Sequence, residues 1–483
     1  MSGGRRPLRR VLVANRGEIA VRVIRTCRRL GIETVLTVSD ADDGSRPARL
    51  ADRVIRIGPA AAPASYLNVD AIVSAAVAAG ADAVHPGYGF LSENARLARA
   101  CAAAGVVFIG PSPQTLEATG DKLAARDHAV AAGLPVLPGG HVTPAAGNGA
   151  AGEGNRAAGA GNRAAGPGVA VAATQVASRI GYPVLVKAAG GGGGRGLRVV
   201  RDPAELERAV AVASAEADTA FGDPRVYLER YVERGRHVEV QLLGDGEHVI
   251  HLGDRDCSVQ RRYQKLIEEA PAPGLDDGLR ERLRAAAVSL CERLRYRGAG
   301  TVEFLVDADS ASTSSGEFYF LEVNARVQVE HPVTEAVTGV DIVAEQLAIA
   351  EGRPLRLKQD EVTFTGHAIE VRVNAEDPQT DFRPSPGTIS HAVFPAGDGV
   401  RVDTHVQAGA TVPPYYDSLL AKVIAHGGDR GGAIAALRDA LDRCAIDGVA
   451  TNLGLQRALL ADPEFAAGGV DTGYLARWLA RHG

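Results

Sequence analysis

Short apolar runs alternate with helical periodicity over the first hundred residues. Residues 11–14 read as a buried strand, 19–30 as a helix with one apolar face, 34–38 as a second strand, 71–79 as a helix and 83–85 as a third strand. Strands and helices alternating at this spacing predict a parallel α/β unit. Residues 85–94 then read as a loop running into a helix, with Gly87 and Gly89 for tight backbone, Ser92 as the cap and Glu93 in the first turn. Such a loop sits at the carboxyl end of a strand, where α/β sheets bind ligands.

Further on, the period changes to two. Read as a strand, 322–331 points Glu322, Asn324, Arg326, Gln328 and Glu330 to one face and Val323, Ala325, Val327 and Val329 to the other. The wet face of an ordinary half-buried strand carries Thr, Ser and Lys. Two carboxylates, two amides and an arginine in register look like a reaction surface. Residues 182–189 predict a strand carrying Lys187, followed by a loop with six glycines (190–194 and 196) and a second strand at 197–200. Glycines let backbone N–H groups approach phosphates closely, and Lys187 adds a point charge. The loop is neither a Walker A nor a Rossmann loop, because a strand follows it and no Gly-Lys-Ser/Thr opens a helix.

Residues 228–232 read as a strand and turn, and 236–241 as another alternating strand. Between 255 and 265, Arg255, Arg261, Arg262 and Lys265 crowd four cations into a short span, either an anion site or a salt-bridged surface. Residues 299–306 form an apolar strand interrupted by Glu303. A buried carboxylate is costly unless paired or bound to metal. Together with Glu322 and Asn324 it offers an all-oxygen ligand set suited to Mg²⁺ bridging phosphates.

Composition narrows the class. At roughly 100–200 residues per domain, a chain of 483 residues has room for about two to four domains. A net charge of −5 with both signs interspersed argues against a general nucleic-acid binder, and no run of apolar residues is long enough to span a membrane. The basic start precedes too short an apolar run for a signal peptide, so a cytoplasmic protein is expected. Cys27, Cys101, Cys257, Cys291 and Cys444 are odd in number and widely spaced, and read as reduced core residues. Only Lys122, Lys187, Lys265, Lys358 and Lys422 are lysines, against 48 arginines. A lysine kept against that bias marks a place where a compact ammonium fits and a planar guanidinium does not. Residues 144–168 turn to Gly, Ala and Asn with a repeated Gly-Asn-Arg-Ala-Ala-Gly, which predicts a disordered linker.

Taken together, the motifs at 14–18, 187–196, 299–306, 322–331, 370–378 and 413–418 resemble the biotin carboxylases, ATP-grasp enzymes that serve the biotin-dependent carboxylases. The likeness covers nearly the whole chain. It implies a three-part α/β fold: an N-terminal α/β domain at 1–118, a central lid region at 119–232 that includes the 144–168 linker and the glycine loop, and a mixed α/β C-terminal part at 233–483. By this resemblance Lys122, Lys187, Gly193, Gly194, Glu229, Arg230, Val232, His237 and Tyr263 hold ATP, where Tyr263 replaces a frequent histidine. Glu303, Glu322 and Asn324 hold two Mg²⁺ or Mn²⁺ ions. Lys265, Arg326, Gln328, Val329 and Glu330 hold bicarbonate, with Glu330 as the base, and Arg372 faces biotin.

The family's biotinyl lysine sits between methionines. None follows Met1 here, so the resemblance implies free biotin or biotin on a separate carrier protein, with a carboxyltransferase as further partner and acetyl-CoA carboxylase or another acyl-CoA carboxylase as the parent enzyme. It also implies a homodimer, whose contact departs from the family pattern at Arg29 and Asp398. Residues 309–316 lengthen a hairpin. Two other readings share the glycine loop and the metal carboxylates: an ATP-grasp ligase joining a carboxylate to an amine, and an ATP-binding regulator without catalysis.

Overall fold

The computed structural model describes residues 7–142, 167–188, 197–395 and 397–482. The predicted parallel unit is present. Strands β1 (Arg10–Val13), β2 (Glu33–Ser39), β3 (Arg53–Gly58), β4 (Ala83–His85) and β5 (Val107–Phe108) form one all-parallel sheet in the order β3-β2-β1-β4-β5. Order reverses at β1 and β4, the switch point of a doubly wound sheet, where loops diverge and leave a crevice. Helix α1 (Gly17–Arg29) leaves β1 through Gly17 at φ +68°, a backbone that a side chain would strain. Helices α2 (Val69–Ala79) and α3 (Ala95–Ala103) follow. The cap of α3 is Asn94, whose side chain accepts from the Leu97 N–H at 3.0 Å, and not the expected Ser92. At the crevice, Gly87 (φ +62°) lets the chain pass close to Asn15, whose amide donates to the carbonyls of Pro86 and Tyr88 at 2.7 Å each.

A second sheet is antiparallel and four-stranded, built from β6 (Gly139–His141), β7 (Val184–Ala188), β8 (Arg198–Val200) and β9 (Val226–Arg230) in the order β6-β9-β7-β8. Lys187 lies on β7 and Glu229 on β9. The stretch 143–166 and the glycine loop at 189–196, with Gly193 and Gly194, lie outside the described residues. The last two residues of the predicted linker, 167 and 168, instead open the helix Pro167–Ile180.

The third sheet positions the chemistry. It comprises β10 (Gly235–Asp245), β11 (Val249–Arg261), β12 (Gln264–Ala270), β13 (Arg297–Asp307), β14 (Phe318–Asn324), β15 (His367–Asn374), β16 (Val400–Thr404) and β17 (Leu419–Gly427). They run antiparallel in the order β14-β13-β10-β11-β12-β15-β17-β16. One apolar face, with Val238, Val240, Val302 and Phe304, packs on Leu279, Leu283 and Leu290 of a long helix. Farther along, Ile369, Val371 and Val373 pack on Leu437, Leu459 and Phe465. Each such fully buried side chain is worth roughly 1.5–3 kcal/mol.

The strand expected at 322–331 ends at Asn324. Beyond it the Ala325 N–H is taken by the Glu93 carboxylate at 2.9 Å. Pairing with β13 stops at Asn324 opposite Thr301, although β13 itself starts at Arg297. Residues 325–330 turn irregularly into helix α4 (His331–Thr338), so the polar side chains converge by a turn and not by strand alternation. All five cysteines are buried and free. No helix among the described residues is long and apolar enough to cross a membrane.

Candidate active site

Lys265 stands at the centre of the polar cluster. On β12, its ammonium reaches Glu239 Oε2 at 2.6 Å, Glu330 Oε1 at 2.6 Å and Glu303 Oε1 at 3.0 Å. Burial disfavours that charge, but the surrounding carboxylates, Glu239, Glu303 and Glu330 among them, hold the lysine well above its ordinary pKa. Glu330 sits at the end of the turn before α4, fully buried. Burial alone would raise its pKa; Lys265, Arg372 and Arg255 outweigh it, so the carboxyl stays ionised well below the usual range. Its second oxygen accepts from Arg372 at 2.9 Å, and Arg372 is steadied in turn by Glu268 at 2.5 Å.

Arg326 is held in a fan of acceptors: Glu93 Oε2 at 2.9 Å, Asn324 Oδ1 at 2.8 Å and Gln328 Oε1 at 2.6 Å. Glu303 and Glu322 lie opposite each other on β13 and β14. Glu303 accepts from Asn324 at 2.8 Å and Gln328 at 3.1 Å, and its other oxygen lies 2.7 Å from His237 Nε2. Burial opposes its ionisation, yet Lys265 and His237 hold it far below the ordinary range. His237, which burial would lower, is raised by Glu303.

The donor set suits a hard divalent cation. Glu303, Glu322 and Asn324 offer oxygen only, and the Glu322 carboxylate has no hydrogen-bond or ion-pair partner among the described residues. A second grouping, His237, Glu239 and Glu303, brings ligand atoms within 4.8 Å of one another. Glu303 belongs to both sets, and Glu239 is engaged by Arg255 and Lys265, so the first set is the better fit only through Glu322, its one carboxylate without such a partner among the described residues.

On the second sheet Lys187 pairs with Glu229. Lys187 is buried, but Glu229 beside it raises its pKa. Lys122, first residue of the helix Lys122–Ala131, is lowered by burial, with Glu322 opposing and Lys187 reinforcing the shift. Two ammoniums thus stand near the Glu303–Glu322 pair. Val232 follows the end of β9, Arg230 is exposed, and Tyr263 is half exposed on the β11–β12 turn with φ +67°. The 255–265 cation run divides. Arg255 is fully buried on Glu239 (2.6 Å), whereas Arg261 and Arg262 pair with Asp381 at the surface.

Three pairings were not foreseen from sequence. Glu93 carries Arg326, Glu268 carries Arg372, and Glu239 faces both Glu303 and Arg255 across the sheet. A carboxylate inside an apolar strand, the signal that marked Glu303, also marks Glu239.

Residues 159–358 match the family described as carbamoyl-phosphate synthase L chain, ATP binding domain. With the antiparallel sheets and the lysines set over paired carboxylates, this defines the class: an ATP-grasp ligase. Residues 7–116 match the biotin carboxylase N-terminal domain and 370–477 the biotin carboxylase C-terminal domain. The chain is 49% identical over 473 residues to the biotin carboxylase of Pseudomonas aeruginosa, covering 98% of this chain and 99% of that one. A crystal structure of a Campylobacter jejuni biotin carboxylase–β-γ-ATP complex superposes with a TM-score of 0.88 at 44% identity, over 97% of this chain and 99% of that one. The biotin carboxylase domain dimer of Hydrogenobacter thermophilus 2-oxoglutarate carboxylase, crystallised with MgADP, ADP and bicarbonate, gives 0.88 at 42% identity over 98% of each chain. The chain belongs to the biotin carboxylase family.

Proposed function

We propose that this chain carboxylates biotin carried on a separate protein, using ATP and bicarbonate, as the first half-reaction of an acyl-CoA carboxylase whose acceptor is acetyl-CoA. The observation that carries the reading is Glu330, a fully buried carboxylate kept ionised between Lys265 and Arg372. A site that only bound nucleotide would have no use for it.

Bicarbonate lies against Arg326, Lys265, Gln328 and the Val329 backbone, where the cations lower its proton affinity. Glu330 takes its proton, the resulting oxyanion attacks the γ-phosphorus of ATP, and the bond to the bridging oxygen breaks to give carboxyphosphate and ADP. Lys122, Lys187 and Lys265 neutralise charge on the transferring group. Carboxyphosphate then separates into CO₂ and phosphate, the phosphate removes the proton from the ureido nitrogen of biotin, and that nitrogen bonds to CO₂. Arg372 stabilises the ureido oxygen as charge develops on it. Mg²⁺ or Mn²⁺ held by Glu303, Glu322 and Asn324 would supply charge neutralisation at the ATP phosphates. Glu229, Arg230, Val232, His237, Tyr263, Gly193 and Gly194 complete the nucleotide site in this reading.

The partners are a biotin carrier protein and a carboxyltransferase, and the chain acts as a homodimer. Relatives that match end to end under the name biotin carboxylase support a subunit working with separate partners. The test is ADP release from Mg-ATP and bicarbonate, with and without free biotin at high concentration. Biotin-stimulated, bicarbonate-dependent turnover is expected. Nucleotide binding without turnover on adding biotin or carrier protein would overturn the reading.

A further inference from the structure

Lys422 is a lysine the proposed chemistry leaves without a part. It lies on β17, fully buried, opposite Arg372 of β15 on one side and Asp403 of β16 on the other. Its ammonium meets Glu18 Oε1 of α1 at 3.1 Å and Asp403 Oδ2 at 3.9 Å, and donates to the backbone carbonyl of Val329 at 2.8 Å. Glu18 in turn accepts from the Tyr88 hydroxyl. A cation in the core is therefore aimed at the peptide bond that leads into Glu330.

The neighbouring carbonyl is held in the same way. His331 Nδ1 lies 2.7 Å from the Gln328 oxygen. Burial, reinforced by Lys422, keeps that imidazole neutral, so its one N–H donates to the carbonyl and Nε2 has no hydrogen-bond partner among the described residues. Two successive carbonyls of the turn are gripped from below while its side chains face Lys265 and Arg326. Because a peptide unit is planar, holding the Val329 carbonyl also sets the plane that enters Glu330 and the direction in which its side chain departs. A guanidinium would bring a rigid fork of five donors to a closed space with three acceptors. That explains a lysine here in a chain that otherwise prefers arginine.

We propose that Lys422 is a positioning residue for the turn that presents Glu330 and the Val329 backbone to bicarbonate. The inference rests on the bicarbonate chemistry proposed above. A base misplaced by about 1 Å typically costs about 100-fold in rate.

The variants to compare are Lys422→Met, which keeps length and removes charge, and Lys422→Met/Glu18→Gln, which also removes a buried anion. The second guards against the first failing to fold. In whichever folds, kcat/KM for bicarbonate is expected to fall about 100-fold, with KM for ATP within about twofold of wild type. A folded variant with bicarbonate kcat/KM near wild type overturns the proposal. So does a rise in KM for ATP as large as the loss toward bicarbonate, which a merely structural role would give. The wild-type assay separates the two claims, since absent biotin-stimulated turnover there defeats the functional reading and not the geometry. Crystal structures read the geometry without activity. A wild-type ammonium more than about 3.5 Å from the Val329 oxygen, too long for a hydrogen bond, or an unmoved turn in the variant, overturns the positioning role.

Discussion

Glu268 and Glu370 stand directly opposite one another on β12 and β15, both fully buried, and Arg372 bonds the first while both oxygens of the second have no hydrogen-bond partner among the described residues. Burial raises both. Glu268 is pushed up to about 7 despite Arg372, and Glu370 is raised well above the ordinary range with Lys422 opposing.

The sign of the pH effect follows. Each carboxyl holds its proton more tightly folded than unfolded, so stability from the pair is full below the unfolded value of 4.5 and is lost as pH rises through the folded value. For Glu268 the window is pH 4.5 to about 7. Glu268→Gln is expected to flatten the decline in urea midpoint across it. Glu370→Gln should flatten a decline that extends to higher pH. Parallel curves for wild type and both variants would show that the buried pair does not titrate.

Loss of Glu330 or Arg326 separates chemistry from folding. Glu330→Gln keeps the shape and an acceptor for Lys265 but removes the base, and Arg326→Ala empties the fan between Glu93, Asn324 and Gln328. Each is expected to remain folded by circular dichroism and to lose about 100- to 1,000-fold in biotin-dependent ADP release. Wild-type rates in either would refute the assigned roles.

Glu303 and Glu322 should differ in what they cost. Glu303 also anchors Lys265, His237, Asn324 and Gln328, whereas Glu322 has no such bonds among the described residues. Glu322→Gln is expected to raise the Mg²⁺ concentration for half-maximal turnover about tenfold with little change in Tm, since losing one charged oxygen ligand weakens a hard-cation site. Glu303→Gln should lower Tm as well. An unchanged Mg²⁺ requirement in Glu322→Gln would remove that residue from the metal site.

Periodicity made the parallel unit and the Glu303 strand legible, because both are local patterns: apolar runs at fixed spacing, and one carboxylate in an apolar run. It also put Glu322, Asn324, Arg326, Gln328 and Glu330 together for a partly wrong reason. They do converge, but through a turn that begins where Glu93 captures the Ala325 N–H. That capture joins residues 232 positions apart, a separation no local pattern reports. Glu268 stayed hidden for a like reason, since its role depends on which strand lies beside β12. The lysine bias was informative beyond its first use: it marked Lys422, whose place under the Val329 carbonyl only the fold reveals.

The last prediction concerns the ion pair beneath the site. Arg255 is fully buried and spends its donors on Glu239 (2.6 Å), Gln241 (2.7 Å), Thr334 (2.9 Å) and Thr301 (3.2 Å). Removing one partner of a buried pair strands the other charge, at a cost of about 3–5 kcal/mol. Arg255→Met should lower the unfolding free energy by somewhat less than that, because Glu239 keeps its bond to Lys265. Replacing both, as Arg255→Met/Glu239→Met, removes the stranded charge and should recover much of the loss, because well-packed apolar pairs often match buried ion pairs. Activity should not return, since Lys265 loses one of its three carboxylates. Denaturant unfolding of the single and double variants gives the coupling directly. A double variant no more stable than Arg255→Met would place the cost in lost packing and hydrogen bonds, and not in a Glu239 that has lost one of its two cations.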